Sequence, residues 1–163
     1  MVQPAREVGP DMTGAVAVVL VLVGATAFGL AWRRRSGRIR NVATPLDGIA
    51  SGGTGPDARA LAGLGVDPGA APVTLVQFSS AFCAPCRATR RVLAEVVTML
   101  PAVRHLEVDA ERHLDAVRAL DIRRTPTVLV VDGAGRIVRR ASGQPRKADV
   151  IAAVAPYLDA ASP

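Results

Sequence analysis

The chain has 163 residues, half of them apolar, few aromatics and a net charge of +6. That length suits one domain of ordinary size plus an appendage, with a core built mainly from Ala, Val and Leu. Five of the arginines fall in residues 33–40, RRRSGRIR, without an acid, and the remainder of the chain is close to balance. A local basic cluster beside an apolar stretch, without interleaved aromatics, fits a membrane flank rather than a nucleic-acid surface, and no nucleic acid is expected as a partner.

Residues 1–12 are a short N-terminal tail, expected outside the cytoplasm. Residues 13–32, TGAVAVVLVLVGATAFGLAW, carry no charge. At 1.5 Å rise per residue they span about 30 Å, the thickness of a hydrocarbon core, and Trp32 ends them as an interfacial ring would. A cleaved signal peptide carries its positive charge before the apolar region; here the charge follows it, so a single-pass anchor in the lipid bilayer is expected. The arginines after Trp32 then place everything that follows on the cytoplasmic side. Residues 33–56 read as a basic juxtamembrane segment and a flexible Gly- and Pro-containing linker.

Residues 57–163 read as the folded domain. A short helix over 57–65 starts near Asp57 and ends at Gly63 or Gly65. Residues 73–79, VTLVQFS, are an almost continuous apolar run, the signature of a buried central strand. A helix follows over 83–100, with Val92, Val96 and Met99 and also Leu93, Val97 and Leu100 at helical spacing, stopped by Pro101. Then come a strand over 103–110, a helix over 111–122, a strand over 126–132, a turn at 133–135, a strand over 136–142 and a closing helix over 147–158. This order predicts an α/β fold with one mixed sheet and helices on both faces.

Both cysteines of the chain, Cys83 and Cys86, stand in CAPC at the start of the second of these helices. Half a zinc site would need a second pair of soft ligands, and His105 and His113 are at no ligand spacing from this one, so no metal is expected. A structural disulfide across two residues closes almost no loop and adds little stability. A redox pair remains. The first turn of a helix offers free N–H groups and a positive dipole end, which favour thiolate at Cys83. Cys86, one turn in, is the buried resolving partner. Pro85 suits an early helical position and Ala84 keeps the approach to sulfur open. Arg87 either supports the thiolate or steers acidic partners, and a solvated helix face is the alternative for Arg87, Arg90 and Arg91 alike.

Strand, aromatic, CAPC, helix, then TPT before a later strand: over residues 57–160 the chain resembles the thioredoxin superfamily. The resemblance implies a thioredoxin-like fold in which Cys83 attacks a substrate disulfide. It also implies a cis Thr125–Pro126 bond beside the cysteines, with the Thr125 backbone pairing with substrate. Phe82, Ala84, Pro85 and Gly143 fall at substrate-groove positions. From the residues alone, Pro126 is equally a trans proline opening a strand, and Gly143 an ordinary strand end. The chain departs from standard thioredoxins where their buried acid becomes Gln77, the lysine paired with it becomes His105, and the tryptophan before the first cysteine becomes Phe82. Gln77 cannot take a proton at neutral pH; His105 replaces it as a relay only if it points at the active-site end.

The expected function is a membrane-anchored, cytoplasm-facing thiol–disulfide oxidoreductase, an enzyme that reduces protein disulfides without a bound cofactor. Its expected partners are disulfide-containing proteins and an electron donor such as a thioredoxin reductase. One alternative is an extracytoplasmic relative of the TlpA and cytochrome-c-maturation type. Those carry an insertion before the cis-proline, for which the 39 residues between Cys86 and Pro126 leave no room. Another is a non-catalytic binding module.

Overall fold

The structure is a computed structural model that describes residues 12–35, 37–41 and 55–159. Residues 1–11 of the expected N-terminal tail and the linker residues 42–54 lie outside the described residues. The chain divides into two units, Met1–Arg35 and Ser36–Pro163.

The described residues of the first unit form the helix α1, Met12–Arg35. Within it Gly14–Ala31 has a mean hydropathy of 2.3, long and apolar enough to cross a membrane. Thr26 is the one hydroxyl of that stretch, and it donates to the Leu22 carbonyl at 2.7 Å rather than standing unpaired. Large apolar side chains such as Leu20 and Val21 are exposed on it.

The second unit has the element order β1 (Ile39–Asn41), α2 (Pro56–Gly63), β2 (Val73–Ser79), α3 (Ala84–Met99), β3 (Val103–Asp109), α4 (Leu114–Ala119), β4 (Thr127–Asp132), β5 (Ile137–Ser142) and α5 (Lys147–Asp159). The sheet order is β1-β5-β4-β2-β3. β2 and β3 are parallel, joined by α3; β2–β4, β4–β5 and β1–β5 are antiparallel. This is the expected mixed sheet with one added strand. Residues 39 and 40 read as part of a basic tract and residue 41 as the start of a linker, yet all three pair with β5, Ile39 opposite Ala141. Ile39 packs against the core, which a charge count does not reveal.

β2 is buried over its whole length because it has a strand on each side and helices on both faces. Its alternation sorts the core into two layers. Val73 and Leu75 join Val128, Val130, Leu93 and Val96 of α3 and Val150, Ala153 and Val154 of α5. Val76 and Phe78 join Leu61 of α2, Leu120 and Ile122 after α4, and Leu129 and Val131. Each of the Val, Leu, Ile and Phe side chains contributes about 1.5–3 kcal/mol on burial. In α3 the buried stripe is Cys86, Thr89, Leu93 and Val96. Met99, expected on it, is exposed, because the helix ends there and Pro101 turns the chain into β3.

Asp132 fixes the β4–β5 turn. It accepts from the backbone N–H of Ala134 and Arg136 and from the Arg136 guanidinium. Gly135 takes the left-handed conformation, φ +78°, that this turn requires.

Candidate active site

Cys83 is the N-cap of α3 and is bonded to Cys86 as a disulfide, with Cα atoms 5.2 Å apart. The local sequence explains the geometry. Ala84 and Pro85 open the helix, where proline's missing N–H goes unneeded. The first free N–H groups therefore converge on Cys83: the Cys86 N–H lies 3.1 Å from Cys83 Sγ. A thiolate at Cys83 would find that donor already in place. Cys83 is half-buried and Cys86 only 2% exposed, so attack from solvent reaches Cys83.

The other substrate-groove candidates gather at the same end of the sheet. Phe78 of β2 pairs with Thr127 of β4, which brings Thr125–Pro126 beside the loop that leads to Cys83. The Thr125–Pro126 peptide is cis. Ser80 Oγ and Thr125 Oγ1 are 3.2 Å apart and tie that loop to this one. The Gly143 N–H donates to the Pro126 carbonyl at 2.7 Å, and Gly143 has φ +96°, a conformation a side chain would strain. Ala84 and Pro85 are exposed, and Phe82 is 98% exposed, an apolar ring in solvent next to the attacking cysteine.

Gln77 is fully buried beneath the pair. Its Nε2 donates to the Cys86 carbonyl at 3.0 Å and to Ser79 Oγ at 2.8 Å. Ser79 Oγ donates in turn to Glu107 Oε1 at 2.7 Å. Glu107 also holds Arg90 in a two-pronged ion pair, with Arg90 Nη2 2.7 Å from Oε1 and Arg90 Nε against Oε2. Burial opposes ionisation of Glu107, but hydrogen bonds from Arg90 and Ser79 and the Arg90 charge outweigh it, and its pKa lies below the ordinary value. The sequence reading missed Glu107 and Ser79. The available signal was period two on β2 and β3, which puts Gln77, Ser79 and Glu107 on the α3 face.

His105 is placed differently from the other candidates. Its register partner is Leu75, four residues before the end of β2, about 13 Å down the strand at 3.3 Å per residue. It lines a groove of about 570 Å³ with Ala94, Val97 and Pro101, and its Nε2 is buried without a partner. Burial, with a smaller contribution from Arg90, keeps its pKa below the ordinary histidine value, against the opposing pull of Glu107. Among the described residues no hydrogen bond links His105 to Gln77.

The thioredoxin family model matches residues 68–156. The chain belongs to the thioredoxin family. A rice relative, Thioredoxin H4-1 of Oryza sativa subsp. japonica, is 36% identical over 55 residues, 34% of this chain and 42% of that protein. The chain thus matches less than half the length of that relative. Among solved structures, chloroplastic thioredoxin z is 24% identical, with 55% of this chain and 81% of the other covered at a TM-score of 0.50. A thioredoxin from Trypanosoma brucei brucei is 17% identical, with 56% and 80% covered, also at 0.50. At these identities the solved structures speak for the fold, and the family match carries the thiol–disulfide oxidoreductase assignment of the cysteine pair.

Proposed function

We propose that this thioredoxin-family chain is a membrane-tethered protein-disulfide reductase whose redox domain faces the cytoplasm. The observation that carries the redox part is the Cys83–Cys86 bond at the start of α3, with one sulfur reachable and the other buried. In the dithiol state the Cys83 thiolate attacks a substrate disulfide. One substrate sulfur leaves and takes a proton, and the other stays in a mixed disulfide with Cys83. The Cys86 thiol loses its proton to solvent and its sulfur attacks Cys83 Sγ. The second substrate sulfur then leaves as a thiol, and the Cys83–Cys86 disulfide remains. Two electrons have passed to the substrate, and an external dithiol donor of the thioredoxin reductase kind returns them. No bound cofactor enters this cycle.

Phe82, Ala84, Pro85, Thr125, Pro126 and Gly143 form the surface on which an extended substrate segment lies. The membrane part of the reading rests on the apolar helix α1 and the arginines that follow it. Thiol trapping of the full chain with a protein disulfide and an external dithiol tests the chemistry. Cys83→Ser is expected to abolish reduction, and Cys86→Ser to accumulate mixed disulfides. Full activity of Cys83→Ser would refute the mechanism. Topology is tested in intact cells by mild reduction followed by a bulky impermeant maleimide. Labelling only after lysis supports a cytoplasmic domain, and labelling before lysis places it outside.

A further inference from the structure

Gln77 has a feature that the reaction scheme leaves unused. Its amide is held in one orientation by what surrounds it. A carbonyl only accepts, so the end that faces the Cys86 oxygen at 3.0 Å is the NH2. Ser79 commits its own proton to Glu107, so its oxygen accepts from Gln77 as well. Arg90 holds Glu107 as the fixed acceptor at the end of this chain. Oε1 makes no hydrogen bond to any of these groups, and it is buried with no partner while the cysteines are a disulfide. A buried acceptor without a donor is destabilising and rare.

The disulfide has no proton to offer. Reduction creates one new donor inside the domain, the thiol of Cys86, on the residue whose carbonyl this amide already holds. The Cys83 thiol, half-buried at the surface, has water for a partner.

We infer that Gln77 Oε1 accepts a hydrogen bond from the Cys86 thiol in the dithiol state, and that the chain Arg90–Glu107–Ser79 aims the amide for it. Gln77 is then a positioning residue that ties a buried network to redox state. This rests on the oxidoreductase reading above. Bonds made in both redox states cancel in the dithiol–disulfide equilibrium; the thiol bond exists in one state only and favours the dithiol.

The test is equilibration of the full chain, in detergent micelles, with graded ratios of reduced and oxidised glutathione. One glutathione thiolate attacks Cys83 Sγ, and Cys86 leaves and takes a proton. A second glutathione breaks the mixed disulfide, giving the Cys83 thiol and glutathione disulfide. Acid quenching and a mass-tagged maleimide then count the two thiols. Gln77→Leu, close in volume, is expected to lower the equilibrium constant for dithiol formation by about fivefold, the worth of one neutral hydrogen bond. Ser79→Ala keeps the amide but frees its orientation, and a smaller shift in the same direction is expected. In the infrared, the Cys86 S–H stretch of the reduced protein should lie lower than in Gln77→Leu. Parent-like equilibrium constants in both variants, or an S–H band unmoved in either, would overturn the inference and leave the oxidoreductase reading standing. A parent chain that does not exchange with glutathione at all would overturn both.

Discussion

Thr89 lies one turn beyond Cys86 on the buried stripe of α3. Its side chain is fully buried and its hydroxyl has no hydrogen-bond partner. An unpaired buried hydroxyl costs about 1–3 kcal/mol against one paired or left in water. Thr89→Val replaces that hydroxyl with a methyl of nearly the same shape. Helix propensities of Thr and Val are close, so α3 itself is little affected. The net expectation is a gain of about 1–2 kcal/mol. For a domain between the 100- and 150-residue classes, 1 kcal/mol moves Tm by about 3–5 °C, so Thr89→Val should melt about 3–10 °C higher. Thr89→Ser keeps the hydroxyl and loses the methyl, and should be less stable than the parent by about 1 kcal/mol. Urea unfolding of the full chain in micelles gives the same comparison as a shift in midpoint at constant slope. A Val variant as stable as the parent, or less, would mean that the hydroxyl is paired, through a buried water that bridges it to a neighbour, and the reasoning would fail.

Stability should also depend on pH through His105 and Glu107. Burial holds His105 below its ordinary value, so near neutrality it is uncharged both folded and unfolded. As pH falls below about 6.5 the unfolded chain gains a proton that the folded domain resists, and stability drops until the folded value is passed. His105→Gln should flatten that upper limb in pH-dependent unfolding, and an unchanged limb would refute the assignment. Glu107, depressed from its ordinary value of 4.5, contributes stability that is present above that value and lost as pH falls through the folded one; Glu107→Gln should remove this lower limb. Asp132→Ala strips the β4–β5 turn of three hydrogen bonds and the Arg136 pair, and should cost about 2–4 kcal/mol by thermal unfolding. Phe82→Ala should leave stability within about 0.5 kcal/mol, since the ring packs on nothing, but raise KM for protein disulfides more than for a small aromatic disulfide.

The parts of this molecule legible in the sequence are those that local chemistry decides. VTLVQFS is apolar on both faces because β2 is covered on both, and CAPC sits where a helix must begin because Pro85 tolerates only its first turn. Cys83, Cys86, Thr125, Pro126 and Gly143 come together at one end of the sheet as the family resemblance, and not the residues alone, implied. The parts that were not legible depend on register across strands. β1 is three residues long and polar at two of them, so no periodicity marks it; pairing with β5 creates it. Glu107 looks like any acid on a half-exposed strand until β3 pairs in parallel with β2 and sets it level with Gln77. His105, two residues earlier on the same face, was the visible candidate because histidine titrates near neutrality. The same register that sets Glu107 level with Gln77 puts His105 opposite Leu75, two residues further from the cysteines. The position at which thioredoxins bury an acid on the central strand is Gln77 here, so it is an amide, not a carboxylate, that meets Cys86. An amide does not ionise near neutrality, so Gln77 adds no pH dependence of its own to the resolving step.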